Sequence, residues 1–77
     1  MSSGKIEKLA RMADQIGSAF AAEGGTRAAE DAATHIEKFW TPKMIRELVA
    51  EVDAGGAKLN PTATAAVQVL KTSLMTA

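Results

Sequence analysis

His35 is the only histidine in the chain, and there is no cysteine. Those two residue types supply most metal ligation and most nucleophile–base pairs, so the chemistry open to this sequence is narrow. A nucleophile–base pair needs a hydroxyl beside His35 in space; Thr34 and Thr41 are near it in sequence alone. Asp31 precedes His35 by one helical turn, but one imidazole and one carboxylate fall short of the convergent set a metal requires. The acids are spread along faces that meet water, and no pair is marked for general acid–base work. Gly24-Gly25 lacks the further glycines, with Lys or a following acid, that a phosphate cradle needs. The sequence therefore offers no catalytic, cofactor-binding or metal-ligating residue. His35 reads as a rim residue near a helix C-terminus, where a protonated ring is mildly favoured.

What remains is binding. The stretch from His35 to Met44, His-Ile-Glu-Lys-Phe-Trp-Thr-Pro-Lys-Met, holds the only Trp, the only His, one of two Phe and one of two Pro. Thr41 is a good N-cap, and Pro42 suits the first helical position, where its missing N–H costs nothing. Pro42 also pushes Thr41 out of the α region, so the preceding helix must stop near Trp40. Two bulky aromatics are thereby held at a corner. Either Phe39, Trp40 and Met44 fill the local core, or at least one projects to a partner, since aromatics, Met and Arg are enriched at interface hot spots. Helical register favours Trp40 inward and Phe39 partly outward. His35, Phe39, Lys43 and Met44 are the expected partner edge. Met12, off the main stripe of its helix, is placed in the same outer patch.

The elements that position this corner follow from apolar spacing. Ile6, Leu9, Ala13, Ile16 and Phe20 recur at threes and fours, predicting a helix over 4–22 with Ser2 and Ser3 as caps. Glu7 and Arg11 form an i,i+4 pair off that face. Gly17 is either a close approach to another backbone or a tolerated glycine. Gly24-Gly25 ends this helix, and Thr26 is set to cap the next, predicted over 27–40. Ala29, Ala32, Ala33, Ile36 and Trp40 lie along its face, and the run of Ala admits another helix at close range. Arg27 is within reach of Asp31, and Asp31 of His35, at i,i+4. A third helix over 42–53 has the stripe Ile45, Leu48, Val49 and Val52, with Arg46, Glu47 and Glu51 facing water. Gly55-Gly56 ends it, with Leu59 folding back on its end. Asn60-Pro61 repeats the device of a cap followed by Pro and starts a fourth helix over 61–73, with Ala63, Ala66, Val67, Leu70 and Leu74 inward. Residues 75–77 are expected to fray. No stretch alternates with period two, so the fold class is all-α: a compact array of about four short helices with no sheet, forming a single domain over 1–77. Trp40, Ile16, Phe20, Ile36 and Leu48 are its expected core anchors.

Composition sets limits on this fold. Of the residues counted as hydrophobic, sixteen are Ala, and twenty are large apolar side chains. Ala favours helix but buries little surface, so the core is thin and gains from a docked partner. Nine basic and nine acidic residues balance to zero, which argues against generic nucleic-acid binding. No apolar run approaches the roughly 20 residues of a membrane span, and the N-terminus has no signal-peptide core. The expectation is a soluble cytoplasmic protein.

The same residues carry a family resemblance. Met12-Ala-Asp-Gln-Ile-Gly17 with Phe20, then Ala33 to Met44, then Asp53 to Pro61, are similar to the small delta subunit of NAD-dependent, molybdenum-containing formate dehydrogenases. That family shows Met-Ala-Asn-Gln-Ile early, a central His-hydrophobic-x-Lys-Phe-Trp-Asp-Pro-Arg-Met, and a later Gly-Gly-x-Gly-Leu-x-Pro. The likeness runs in order along nearly the whole chain and is most specific at Phe39-Trp40-Thr41-Pro42-Lys43-Met44. Asp14 stands where Asn is usual, Thr41 where Asp is, Lys43 where Arg is, and Lys58 where Gly is common. Thr41 keeps an N-cap, whereas Lys43 keeps the charge of Arg and loses its planar fork.

The resemblance implies a non-catalytic subunit that supports assembly or stability by docking on a large subunit. The alpha subunit would carry molybdenum cofactor and iron–sulfur clusters, and the beta and gamma subunits would serve the FMN and NAD side. The competing reading is a free-standing small interaction or regulatory domain of helix-turn-helix type. Zero net charge and the lack of a basic recognition helix stand against it.

Overall fold

A computed structural model describes residues 2–76, with the side chains of Ser2, Ser3 and Thr76 excluded. Helix α1 spans Ser2–Phe20 and runs into one 3₁₀ turn, Ala21–Glu23; α2 spans Gly25–Phe39, α3 Pro42–Asp53 and α4 Pro61–Thr76. There is no strand among the described residues. The Cα radius of gyration is 11.3 Å, against about 11.5 Å for a compact chain of this length. The Ala-rich core thus closes without disulfides.

The Ala faces explain how it closes. Ala28, Ala29, Ala32 and Ala33 of α2 are all buried, as are Ala63 and Ala66 of α4, and this helix pair shares the most extensive contact in the molecule. Small side chains on both partners let the backbones approach. Ile36, Leu48, Val67 and Leu70 are the largest fully buried side chains. Each stabilises by roughly 1.5–3 kcal/mol through burial. Helix α4 touches all three other helices. It carries one charge, Lys71, which pairs with Asp53 at 2.9 Å. A helix apolar on so many sides belongs at the centre of a bundle.

Several boundaries differ from expectation, for local reasons. Helix α1 ends at Phe20, because Ala21–Glu23 tighten into the 3₁₀ turn, with Gly24 N–H donating to the Ala21 carbonyl at 3.1 Å. Helix α2 starts at Gly25, two residues early. Gly24 and Gly25 both have positive φ, +73° and +60°, which only glycine adopts without strain. Ala28 N–H then donates to the Gly24 carbonyl, so Thr26 lies inside the first turn and caps nothing. Helix α3 closes as expected at Gly55-Gly56: Gly56 N–H reaches the Glu51 carbonyl at 2.9 Å and Gly55 N–H that of Val52 at 3.1 Å. Leu59 packs against the core beyond it. Helix α4 continues to Thr76, so Met75 and Thr76 are helical. Helix α1 starts at Ser2, two residues before the expected start, so Ser2 and Ser3 lie within it and do not precede it as caps; their side chains, and Ala77, lie outside the described residues.

Some side-chain placements are also corrected. Leu74 is 38% exposed, because α4 by then runs past the packed part of its neighbours. Glu47 and Glu51 are half-buried rather than facing water, and Lys5 of α1 crosses to Glu47 at 3.4 Å. The pairs expected within helices, Glu7–Arg11, Arg27–Asp31 and Asp31–His35, are not among the ion pairs of the described residues, which join α1 to α3 and α3 to α4.

The strongest polar tie in the fold joins α1 to the start of α4. Asp14 Oδ1 accepts from Asn60 N–H at 2.8 Å, and Asn60 Nδ2 donates to the Asp14 carbonyl at 2.9 Å and to Ser18 Oγ at 3.3 Å. Asn60 Oδ1 meanwhile caps α4 by accepting from Ala63 N–H at 2.8 Å. Gly17 lies directly beneath. A Cβ there would sit 2.6 Å from Asn60 Oδ1 and 2.8 Å from Ala63 N. Of the two readings of Gly17, close approach is the one realised.

Candidate functional site

The corner between α2 and α3 is built by two successive extended residues. Trp40 has φ −101°, ψ 149°, and Thr41 has φ −73°, ψ 154°. Thr41 is held extended by the following Pro42, and its Oγ1 caps α3 by accepting from Met44 N–H at 3.2 Å. Trp40 N–H still closes the last turn of α2 on the Ile36 carbonyl at 2.8 Å. The chain therefore reverses its side-chain direction between Phe39 and Trp40. Trp40 is 6% exposed and joins the core; Phe39, the last helical residue, is 71% exposed.

Phe39 is not isolated. The His35 ring lies one turn before it, with centroids 4.7 Å apart and planes at 41°. On the other side of His35, the Phe20 ring from the end of α1 sits 5.9 Å away at 57°. Tilted rings at these separations are attractive beyond the area they bury. Three rings from two helices thus form a row, running from half-buried Phe20 to open Phe39. Lys38 and Lys43 are exposed at the same corner.

The expected partner edge is accordingly redrawn. His35, Phe39 and Lys43 lie at the surface of the corner, with His35 half-buried. Met44 and Met12 are half-buried as well, Met44 one turn before Leu48 and Met12 three residues after Leu9, and both pack against the core. Of the expected core anchors, Trp40, Ile36 and Leu48 are buried. Ile16 and Phe20 are only partly so, because the C-terminal half of α1 meets α4 through Gly17, not through a large side chain. Phe20 was legible as an apolar residue on a stripe. Its role in the aromatic row depends on the α1–α2 packing, which no local pattern encodes.

Chemically, His35 faces two rings, and neither a carboxylate nor a hydroxyl is paired with it. Thr34 Oγ1 instead donates to the Glu30 carbonyl at 2.9 Å. No group of three or more His, Cys, Asp or Glu that could hold a metal occurs among the described residues. A cavity of about 500 Å³ opens between the start of α2 and α4, lined by residues such as Ala29, Glu30, Ala65 and Val69. It is mostly apolar and brings no set of titratable groups together. Near it, the exposed Glu23 carboxyl is raised above its ordinary value by a hydrogen bond with Asp31, then by desolvation and by the Asp31 charge, with Arg27 opposing. A folded value above the unfolded one stabilises at low pH, and the effect is lost as pH rises through the folded value. No ion pair of the described residues joins Asp31 to His35. No helix of the described residues is long and apolar enough to cross a membrane.

The site is therefore a surface, with an aromatic row and basic neighbours, and not a pocket with reactive groups. Comparison with known proteins finds a family model that matches the chain. No protein of curated function and no solved structure matches it. The family model for the NADH-dependent formate dehydrogenase delta subunit, FdsD, matches residues 8–67, which include α2, α3 and the Asn60-Pro61 start of α4. The chain belongs to the formate dehydrogenase delta subunit family.

Proposed function

We propose that this chain is a non-catalytic accessory subunit of a cytoplasmic NAD-dependent formate dehydrogenase, docking on a large subunit and supporting assembly or stability of the complex. The complex as a whole oxidises formate to CO2 and reduces NAD. Its partners are the large catalytic alpha subunit and the beta and gamma subunits. Molybdenum cofactor, iron–sulfur clusters, FMN and NAD belong to those subunits. This chain's donor set does not fit a cluster or a metal, since it has no cysteine and a single histidine.

The observation that carries this reading is the exposure of Phe39, 71%, at the end of a ring row in a domain whose other aromatics are turned in or half-buried. A large aromatic held at a rigid corner exposes apolar area at little entropic cost, which is how interface anchors act.

The test is a pair of neighbouring alanine variants. Phe39→Ala removes exposed area and leaves helicity intact, but it lowers recovery of the large subunits with a tagged copy of this chain. Trp40→Ala opens a core cavity worth about 3–5 kcal/mol, a large share of the stability of so small a domain, and unfolds the chain. Circular dichroism and co-purification from formate-grown cells read the two effects separately. Equal loss of both signals in both variants refutes the split. A chain that runs alone, with no large iron–sulfur partner, refutes docking itself.

A further inference from the structure

The charges around Phe39 are placed against the needs of the fold. Overall the sequence is balanced, yet from His35 to Arg46 there are three basic residues, Lys38, Lys43 and Arg46, and one acid, Glu37. All three bases are exposed. None takes part in the ion pairs of the described residues, which use Lys5 and Lys71. Lys38 has a local explanation, because it sits in the last turn of α2, where the helix dipole favours a cation. Lys43 has none. It occupies the second position of α3, in a first turn that holds no acid. There the dipole disfavours a cation, and an Asp or Glu would support the helix instead. Among the other acids, Glu23 precedes α2, Glu30 and Asp31 lie in its first half, and Glu47, Glu51 and Asp53 lie further along α3, where Glu47 is paired with Lys5 and Asp53 with Lys71. A residue that violates its local rule with no compensation inside the molecule marks a function outside it.

Resting on the docking reading above, we propose that the surface receiving Phe39 is an apolar recess on the partner protein rimmed by carboxylates, which Lys38 and Lys43 meet as the ring enters. The aromatic supplies affinity, and the two lysines supply steering and register. The arrangement also explains why Lys can serve at position 43: a solvent-bathed rim contact needs a positive charge and not a two-pronged planar fork.

The experiment measures retention of the large subunits on tagged chain at salt from about 50 mM to about 500 mM, with Lys38→Glu/Lys43→Glu, Phe39→Ala and wild type side by side. The wild type is expected to lose retention as salt rises. The double charge reversal should lose about ten-fold at the lowest salt, where its carboxylates face those of the rim, and regain retention as salt screens that repulsion, the opposite trend to the wild type. Phe39→Ala should lose retention at every salt. The thermal midpoint of Lys43→Glu alone should hold or rise, since an acid now faces the dipole of α3, so weaker docking by this single variant, read beside the double reversal, cannot be ascribed to unfolding. Unchanged retention on charge reversal, with Phe39→Ala still defective, overturns the acidic rim and leaves docking standing. Failure of wild type to retain any large subunit overturns both. Capture by vesicles of anionic lipid, lost on charge reversal while subunit retention is not, assigns the lysines to a membrane surface and also overturns the proposal.

Discussion

Thr41-Pro42 and Asn60-Pro61 start two helices by the same device and do different work with it. Both caps accept from the backbone N–H three residues on, Met44 at 3.2 Å and Ala63 at 2.8 Å. Thr41 goes no further. Its side chain is exposed, and the two extended residues at its corner serve to turn Trp40 in and Phe39 out. Asn60 reaches across the molecule, and its amide and backbone N–H tie α4 to Asp14 and Ser18 of α1 over Gly17. One start holds the fold together; the other presents a surface. A cap and a proline in a sequence specify where a helix begins, and leave open whether the beginning is a structural joint.

Within these two helix starts, the largest expected effect separates the two caps directly. Asn60→Ala removes the α4 cap and the side-chain donor to Asp14, leaving the partly buried Asp14 carbonyl short of that partner. A cap is worth about 1 kcal/mol and a hydrogen bond about as much again, so the loss is about 2–3 kcal/mol. Urea unfolding of the isolated chain measures it. Asn60→Asp keeps the cap acceptor but loses the amide donor and sets a second carboxylate beside Asp14. It should therefore recover only part of the stability. Full recovery would mean that Asn60 is merely a cap, like Thr41.

Gly17→Ala tests the same joint from the α1 side, and its sign is what matters. In an open helix the change stabilises by about 1 kcal/mol. Here the new methyl meets Asn60 Oδ1, Ala63 N and Ala63 Cβ at 2.6–2.9 Å, and a backbone atom cannot swing away. Overpacking of this kind costs about 1–3 kcal/mol, which offsets that gain and leaves a net destabilisation of up to about 2 kcal/mol. A raised thermal midpoint would show that the α1–α4 joint is looser than its geometry implies.

These two regions also mark how far the sequence could be read. The four helices, the Schellman end at Gly55-Gly56 and both proline starts follow from local rules, because caps, turns and apolar spacing act within one or two turns of chain. The Asp14–Asn60 bonds span 46 residues, and nothing in either neighbourhood signals the other. The same holds for Phe20 beside His35 and for Lys5 beside Glu47. Met12 and Met44 touch the core from the edge of the stripe that spacing draws, since a flexible thioether reaches further than its register implies. Within the candidate site, opposite directions for Phe39 and Trp40 were legible in helix register. The ring row was not, since it needs the end of α1 to arrive.

The smallest expected effect lies at the other cap, and it sharpens the contrast most. Thr41→Ala removes one exposed hydrogen bond and touches no other element, so it costs about 1 kcal/mol or less. Thr41→Asp retains an acceptor for Met44 N–H and adds a negative charge to the first turn of α3, whose dipole currently faces only Lys43 and no acid. Its thermal midpoint should equal or exceed that of the wild type. The two variants should leave Phe39 exposed and His35 stacked, because Pro42 alone keeps the residue before it extended. If Thr41→Ala instead destabilises as much as Asn60→Ala, the corner is a joint of the fold after all. Phe39 would then owe its position to that cap, and its exposure would say less about a partner.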